Sequence, residues 1–522
     1  MSMASLTMTR RSGAALLVGL LGLAAPAPAQ ERVDLLIRGG SVYDGTGGPA
    51  RLVDIGVVGD RITFVGEAPR SMVALRTIDA TGLVVAPGFV DPHTHTDSDV
   101  RDPLRRGLAG FLLQGVTTVV IGNDGGGPFD IGATRATLNR AGIGANAAYL
   151  VGHGTIRRKV MGMASRAPTA AELDSMRTLV AGAMRAGAFG LSTGLYYAPG
   201  SYAETAEVVE LARVAAAAGG YYDSHIRDES SYTVGLLGAI DEAIRVGREA
   251  GIPVHIAHIK ALGVDVWGKS DEVVARILAA RAAGQRVTAD QYPYQASGTS
   301  VGASLLPRWA EAGGRDSLLG RIADSAIRAR LKTEMTENMR RRGGAESLLI
   351  TGGKWKGKRL SEVATATGAA PIDAALAIIK AGDAGVASFN MSDADIVRFM
   401  RQDFVVTGSD GSGGHPRKFG TFPKKLREYV LDRGIVTLPR AIQASSAQTA
   451  GIVGLTDRGT LAAGRFADII VFDSTTIRDR STYEAPETPA VGMRYVVVNG
   501  KLAVDQGRVT GVLAGRALGR DR

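Results

Sequence analysis

The sequence predicts an α/β fold in which a (β/α)8 barrel of the TIM type is joined to a small β-sandwich. After Pro87-Gly88, eight short apolar runs alternate with Ala- and Leu-rich stretches of helical character, the pattern of a parallel sheet with crossover helices. Eight such units are the number that closes a barrel. The predicted barrel strands are Phe89–His95, Thr117–Asn123, Ala147–His153, Phe189–Leu195, Tyr221–His225, Val254–His258, Val287–Tyr292 and Phe404–Ser409.

The two ends of the chain are expected to form the small β-sandwich together. Residues 30–86 supply its N-terminal part and residues 453–522 its C-terminal part, and the barrel occupies residues 87–452 between them. An Arg-rich helical segment at about 300–351 is expected to be an insertion over the barrel mouth, after which residues 385–403 return to the barrel pattern. The β-like segments of the two ends are Val33–Arg38, Asp54–Val58, Arg61–Val65, Gly459–Asp473 and Tyr495–Val498.

The first 29 residues have the three parts of a secretory signal peptide. Arg10-Arg11 precede a short apolar run at Ala14–Ala25, and Ala27-Pro28-Ala29 is a small-residue cleavage site. The run is shorter than the roughly 20 residues that a membrane span needs, which disfavours the alternative of an uncleaved anchor. We therefore expect a secreted, periplasmic mature protein without stable membrane insertion. General and twin-arginine export both stay open.

The composition is that of an ordinary globular protein, with 45% hydrophobic and 21% charged residues. The net charge of +10 comes from dispersed Lys and Arg, and no nucleic-acid recognition module accompanies it, so nucleic acid is not an expected partner. The positive charge is instead a solvated surface or a mild attraction for small anionic substrates. The chain contains no Cys, which excludes disulfides, a thiolate nucleophile and thiolate metal ligands.

Polar side chains at the ends of predicted strands indicate a metal site. His93 and His95 are two residues apart on the first strand, so both imidazoles can face the barrel interior. His225 and His258 end the fifth and sixth runs, and Asp410 closes the eighth. The carboxyl ends of barrel strands are where this fold places its chemistry. Imidazole-rich sites favour zinc with an open position for water, and an inward carboxylate beside them suits a general base.

One histidine is expected to lie outside this site. His255 is three residues before His258, so on one strand the two side chains point to opposite faces. We expect His258 to serve the interior and His255 to be structural. The alternative is that all these residues are buried, hydrogen-bonded polar groups without a metal. It is disfavoured because four histidines and Asp410 occur together at the ends of several predicted strands.

Longer motifs surround these residues. They are Pro87-Gly88-Phe89-Val90-Asp91-Pro92-His93-Thr94-His95, Gly115-Val116-Thr117-Thr118-Val119-Val120, Gly152-His153-Gly154-Thr155, Ser192-Thr193-Gly194-Leu195, Ser224-His225-Ile226-Arg227-Asp228-Glu229, Tyr292-Pro293-Tyr294, Gly408-Ser409-Asp410-Gly411, His415-Pro416-Arg417, Gly420-Thr421-Phe422 and Gly464-Arg465-Phe466-Ala467-Asp468. Through them the sequence resembles the amidohydrolase superfamily and, within it, the D-aminoacylase (N-acyl-D-amino-acid deacylase) branch. The resemblance covers nearly all of the chain after residue 32, and jointly the motifs are highly specific.

The resemblance implies a metal ion bound by His225, His258 and a residue of the second strand, with His93 and His95 near a second, weaker position. In that branch a Cys usually follows Gly-Asn on the second strand, whereas this chain has Asp124 there. An aspartate can bridge two cations and relaxes the metal choice from Zn²⁺ towards Mn or Fe, so one or two ions are expected. A turn or helix-capping role for Asp124 stays open.

The resemblance also implies residues that hold the substrate. Lys260 resembles the carboxylate-binding lysine of the branch, and Tyr292, Tyr294 and Ser297 add hydrogen bonds. Arg227 either contributes a cation or pairs with a neighbouring acid as scaffold. His153 either assists the oxyanion or is a structural hydrogen-bonding group, and Arg417 is a weaker candidate cation.

The predicted function is hydrolysis of the amide bond of N-acyl-D-amino acids, small-molecule substrates, by metal-activated water. Asp410 is expected to take the proton of the water and return it to the leaving amine. The preference for D substrates comes from the resemblance alone. Two alternatives stay open: a dipeptidase or other amide hydrolase on the same scaffold, and a secreted binding protein whose site has decayed. Acyl group, side-chain specificity and oligomeric state are not predicted.

Overall fold

The computed structural model describes residues 1–9 and 32–520. The apolar run and cleavage site of the predicted signal peptide lie outside the described residues. Within the described parts, no single helix is long and apolar enough to cross a membrane. One bent pair, Leu360–Thr367 with Pro371–Lys380, passes the length and composition criteria only when its two helices are taken together.

Eight parallel strands form the barrel sheet, each hydrogen-bonded to its neighbour in chain order. The first and last strands meet beyond their ends, where His95 N donates to Gly411 O (3.1 Å) and Asp410 N donates to His93 O (2.9 Å). All eight predicted runs are confirmed as strands. Their bounds are Phe89–Asp91, Val116–Ile121, Asn146–Gly152, Gly190–Gly194, Tyr221–His225, Val254–Ile256, Val287–Gln291 and Val405–Thr407.

Strands of this barrel are buried on both faces, which explains their continuous apolar character. Every residue of Val116–Ile121 and of Asn146–Gly152 is buried, as expected for a parallel sheet whose outer face is covered by helices. The covering helices are Ala109–Leu112, Ile131–Ala141, His153–Met161, Ala170–Arg185, Thr205–Ala217, Gly235–Ala250, Ser270–Ala282, Asp393–Met400, Arg417–Lys424, the π-helical Lys425–Asp432, Leu438–Ser445 and Ala447–Val453.

An inserted subdomain leaves the barrel after the seventh strand and has its own hydrophobic core. Its three-stranded sheet pairs Gly385–Phe389 with both Ala296–Ser300 and Leu348–Ile350 in antiparallel fashion. The part delimited by this small sheet therefore spans 296–389 and exceeds the predicted insertion at about 300–351 at both ends. Residues 385–389 belong to this small sheet and not to the barrel pattern. The helices of the subdomain are Val301–Leu305, Arg315–Ala323, Ser325–Arg341, Leu360–Thr367 and Pro371–Lys380.

Both ends of the chain build the second domain, as predicted. The strand Val84–Pro87 pairs antiparallel with Ile469–Phe472, which joins the N-terminal and C-terminal strands in one hydrogen-bonded sheet of nine. Buried Val, Ile and Leu side chains from both ends share one core. The other strands are Arg32–Val42, Arg51–Val58, Arg61–Gly66, Val73–Asp79, Met493–Val498, Lys501–Asp505 and Arg508–Val509.

Candidate metal centre

The side chains predicted as metal ligands meet at the carboxyl ends of the barrel strands, together with the predicted general base. Their ligand atoms form three overlapping groups, each within 4.8 Å. The groups are His93, His258 and Asp410; His93, His95 and Asp124; and Asp124, His225 and His258. Asp124 and two of the histidines belong to two groups each, so the six residues form one continuous cluster.

Asp124 lies at the middle of the cluster. Its Oδ1 is 3.3 Å from His93 Nε2 and 3.6 Å from His258 Nε2. Its Oδ2 is 3.5 Å from both His95 Nε2 and His225 Nδ1. Asp124 is shared by the group with His93 and His95 and by the group with His225 and His258, so one carboxylate could serve two cations.

The donor set fits a divalent cation. Both ring nitrogens of His93 and of His225, and Oδ1 of Asp124, are buried and have no hydrogen-bond partner in the described part of the chain. Leaving buried polar atoms unsatisfied costs about 1–3 kcal/mol each. A cation coordinated by these atoms would remove that cost, and imidazole nitrogens with carboxylate oxygens are ligands that zinc accepts in catalytic sites.

Electrostatics at the cluster also favour an added positive charge. Burial raises the pKa of Asp124, but His93 and His225 outweigh this and hold it well below its ordinary value. Burial lowers the pKa of His95, yet its hydrogen bonds to Asp124 and Asp410 raise it to about 10. The two carboxylates therefore draw positive charge to this position, from a proton or from a metal ion.

Asp410 is held as a carboxylate by cations on two sides. Arg417 Nη1 lies 2.7 Å from Asp410 Oδ2, and His95 Nε2 lies 3.1 Å from Oδ1. Burial raises the pKa of Asp410, but Arg417 and the nearby histidines lower it well below its ordinary value. Asp410 is thus ionised and able to accept a proton. Arg417, a weaker candidate from sequence, is fixed against it.

Three residues of the cluster have left-handed backbone conformations, which non-glycine residues rarely adopt. The φ angles are 56° at Asp124, 34° at His258 and 48° at Asp410. Such strain costs on the order of 1–3 kcal/mol per residue and persists only where surrounding contacts fix it. At His258, for example, the backbone N donates to Asp290 Oδ1 at 3.1 Å. The strain turns each side chain inward just after its strand ends.

Glycines on neighbouring strands let the Asp124 loop approach the barrel. A Cβ at Gly194 would lie 2.3 Å from Asp124 O, and a Cβ at Gly152 would lie 1.8 Å from Gly126 O. Both distances are shorter than any real contact, and both meet backbone rather than a flexible side chain. Glycine is therefore required here to bring Asp124 within reach of the four imidazoles.

Three of the predicted substrate residues line the same cavity, of about 360 Å³, as Asp410 and four of the five predicted metal ligands. They are Lys260, Tyr292 and Ser297. Lys260 Nζ donates to Glu229 Oε1 and lies 2.7 Å from His258 Nδ1. Glu229 Oε1 is itself 3.1 Å from that nitrogen, so the glutamate positions both the lysine and the metal-facing imidazole.

The other three predicted substrate residues do not line this cavity. His153 Nε2 lies 2.8 Å from Glu207 Oε1 of the covering helix Thr205–Ala217, and both residues are buried. Arg227 forms two hydrogen bonds of 2.8 Å each with the carboxylate of Glu242. It therefore has the scaffold role, but its acidic partner is Glu242 and not a neighbour in sequence. Tyr294 packs against the ring of His415 at 5.5 Å between centroids.

His255 is structural, as predicted, with Nε2 3.0 Å from Asp290 Oδ2.

Several cavity residues were not predicted from sequence. Glu229 lies within the quoted Ser224–Glu229 motif, and its position four residues after His225 was an available signal. Tyr196 and Tyr197 follow the fourth strand after one intervening residue and pack near His225, with ring centroids 5.8 and 4.9 Å away. Arg342 comes from the inserted subdomain, where nothing in the Arg-rich sequence distinguishes it from its neighbours.

Comparison with known proteins places this architecture in a family. The family model described as "Amidohydrolase family" matches residues 76–504. The chain is 36% identical over 518 residues to D-aminoacylase of Alcaligenes xylosoxydans xylosoxydans, covering 93% of this chain and 98% of the relative. It is 38% identical over 498 residues to N-acyl-D-glutamate deacylase of the same organism, covering 90% of this chain and 93% of the relative.

A solved structure agrees with these relationships. N-acyl-D-glutamate deacylase from Bordetella bronchiseptica, in complex with zinc and a phosphonate mimic of the tetrahedral intermediate, has a TM-score of 0.81 to this chain. The two are 32% identical, and the match covers 94% of this chain and 100% of that one. This chain therefore belongs to the amidohydrolase family, in the group that contains D-aminoacylase and N-acyl-D-glutamate deacylase.

Proposed function

We propose that this protein hydrolyses the amide bond of N-acyl-D-amino acids, releasing a carboxylate and a D-amino acid. The observation that carries the proposal is the position of Asp124 between four imidazoles, in a cavity that Asp410 and Lys260 also line. The relatives named above supply the substrate class, since their names specify deacylation of D-amino acids or D-glutamate.

His93, His95, Asp124, His225 and His258 would hold one or two divalent cations, which we infer to be zinc from the imidazole-rich donor set. When bound, such a cation polarises the scissile carbonyl and lowers the pKa of a water molecule beside it. Manganese or iron would also suit a site whose central ligand is an oxygen donor instead of a thiolate. Metal analysis of the purified protein separates these choices.

Asp410 moves the proton in this scheme. As water adds to the carbonyl carbon, a carboxylate oxygen of Asp410 accepts its proton, and the same group then delivers that proton to the amine nitrogen as the C–N bond breaks. Arg417, 2.7 Å from Asp410 Oδ2, fixes the orientation of the carboxylate. The second oxygen, next to His95, is the one nearest the histidine cluster.

Lys260, Tyr292 and Ser297 would bind the carboxylate next to the scissile amide. All three line the cavity, and the ammonium of Lys260 is buried beside His258. Lys260 gives one of its three N–H donors to Glu229, so it keeps donor capacity for a substrate carboxylate. This fixes the orientation of the substrate with its amide towards the histidines and Asp410.

We further propose that the mature protein is secreted to the periplasm after cleavage behind Ala29. The basic, apolar and small-residue segments of residues 1–29 support this. Sequencing the N-terminus of protein recovered from the periplasm would find residue 30 first if the proposal is right. An intact Met1 on the recovered protein would contradict it.

The direct test is amine release from matched N-acetyl-D- and N-acetyl-L-amino acids and from L,D-dipeptides, with protein of known metal content. We expect hydrolysis of N-acetyl-D substrates only. A preference for the L enantiomers would contradict the proposal. Cleavage of the dipeptides alone would keep the mechanism but make the protein a dipeptidase.

A further inference from the structure

Arg342 is a buried cation in the wall of the cavity that holds the histidine cluster. It follows the helix Ser325–Arg341 of the inserted subdomain, and its side chain is 2% exposed. The cavity lining includes this arginine together with His95, Asp124 and Asp410. The inserted subdomain therefore contributes a positive charge to a site otherwise built by the barrel.

Its hydrogen-bonding capacity is only partly used. Arg342 Nε donates to Ser304 O, and Nη2 donates to the hydroxyl of Tyr196, both at 3.1 Å. Nη1 is buried and has no hydrogen-bond partner among residues 1–9 and 32–520. A guanidinium has five N–H donors. Two of them are used by Ser304 and Tyr196, which leaves two donors on Nη1 and one on Nη2. The two terminal nitrogens of a guanidinium can bind one carboxylate through two parallel hydrogen bonds.

Its charge is also uncompensated within the part of the chain that the structure describes. Three buried Lys and Arg side chains line the cavity, namely Lys260, Arg342 and Arg417. Lys260 is paired with Glu229, and Arg417 with Asp410. Among the described residues, no carboxylate lies within 4.0 Å of the Arg342 guanidinium; its other neighbour is the ring of Tyr232, 5.6 Å away. A buried charge without a partner is costly, so a bound anion is the natural compensation.

The position suits a group of the substrate remote from the scissile amide. The hydroxyl of Tyr196 accepts from Arg342, and the ring of Tyr196 lies 5.8 Å from the ring of His225. One aromatic side chain thus separates the guanidinium from a predicted metal ligand. Lys260 lies instead beside His258, so the two cations are at different positions in the cavity wall.

We propose that Arg342 binds a second carboxylate of the substrate, so that the preferred substrates are dianionic N-acyl-D-amino acids. The inference rests on the proposed function and specifies its substrate class. Lys260 binds the carboxylate beside the amide, and Arg342 binds the other one. That second carboxylate belongs either to an acidic side chain, as in an N-acetyl-D-glutamate, or to the far end of the acyl group, as in an N-succinyl-D-amino acid.

The test compares kcat/KM for isosteric pairs that differ by one charge. The side-chain pair is N-acetyl-D-glutamate and N-acetyl-D-glutamine; the acyl pair is N-succinyl-D-alanine and its terminal amide. We expect the wild-type protein to prefer the dianion in one pair by about 30-fold or more, the range for a buried charge pair. The pair that shows the preference identifies the source of the carboxylate.

Arg342→Gln should reduce that preference to within about 3-fold of unity, while the neutral member of the pair keeps most of its kcat/KM. Arg342→Lys retains the positive charge but lacks the two terminal nitrogens of the guanidinium, so it should keep part of the preference for the dianion. This variant replaces Arg342→Gln if the glutamine variant folds poorly. Arg341→Gln is the matched control, because Arg341 interacts with Glu337 and does not line the cavity. It should leave the preference unchanged.

Calorimetric titration of metal-loaded protein with the products D-glutamate and D-glutamine gives a second measurement that does not depend on turnover. Equal wild-type activity on both members of both pairs would overturn the inference. So would an equal loss on charged and neutral substrates in Arg342→Gln, which would indicate a purely structural arginine. Failure to hydrolyse any N-acyl-D-amino acid, neutral ones included, would instead overturn the proposed function.

Discussion

Asp410→Asn is expected to leave the bound metal in place and to lower kcat by about 10²- to 10⁴-fold, the range for a lost general acid–base group. The carboxamide cannot accept the proton of the attacking water, and it has no proton of the right acidity to give to the leaving amine. Substrate binding should change little, because Lys260, Tyr292 and Ser297 are untouched. The loss should therefore appear in kcat more than in KM.

Steady-state kinetics with parallel metal analysis check this prediction. Asp395→Asn is a suitable control: Asp395 is also buried, it accepts from Gly268 N at 2.9 Å, and it does not line the cavity. Wild-type turnover in Asp410→Asn would remove the general base from the mechanism. Loss of the metal would contradict the prediction in another way, because Asp410 would then be a ligand, as its group with His93 and His258 permits.

Asp124→Ala is expected to weaken metal binding by more than about 100-fold and to abolish turnover in a folded protein. Removal even of a residue that only supports a metal ligand costs about 10- to 100-fold in affinity, and Asp124 belongs to two of the three ligand groups. Without it, His93, His95, His225 and His258 would also lose the negative charge that faces all four rings.

Metal content after dialysis and the rate of amide hydrolysis test this second prediction. Asp130→Ala, in the same loop, is the matched control. Asp130 caps the helix Ile131–Ala141 by accepting from Ala133 N at 2.9 Å, so its loss should cost about 1 kcal/mol of stability and leave the metal site intact. If Asp124→Ala kept its metal and its rate, Asp124 would be a turn residue and the central ligand would have to be reassigned.

The barrel and the cluster of ligands could be predicted because their determinants are local. Each ligand follows a buried apolar run, and the spacing of His93 and His95 fixes both on one face. The spacing of His255 and His258 likewise separated a structural histidine from one that faces the cluster. Parallel strands of a closed barrel then bring their carboxyl ends together without further information.

The inserted subdomain could not be delimited in the same way. The short run at Gly385–Phe389 has the same apolar character whether it pairs in the barrel or with Ala296–Ser300, and only a non-local contact decides between them. The same limit applies to Arg342. Its neighbours in an Arg-rich helix pair with nearby acids, and only the folded subdomain shows that this arginine reaches the cavity.

The direction in which a side chain at a strand end points could not be predicted from the sequence either. His153 and Arg227 belong to motifs at strand ends, yet His153 contacts Glu207 and Arg227 contacts Glu242, both on covering helices. The acids lie 54 and 15 residues away in the chain. A position at the end of a strand places a residue near the site, but the partner that it meets determines whether it faces the substrate.

The histidine cluster is expected to hold a cation without which no amide is cleaved. The most direct measurement is a titration of chelator-treated, fully folded protein with Zn²⁺ while release of the D-amino acid from a hydrolysed N-acyl-D-amino acid is recorded. We predict no turnover in the metal-free protein and a rate that rises with each equivalent bound until the essential position is filled. Undiminished turnover by protein shown to contain no metal would contradict the account.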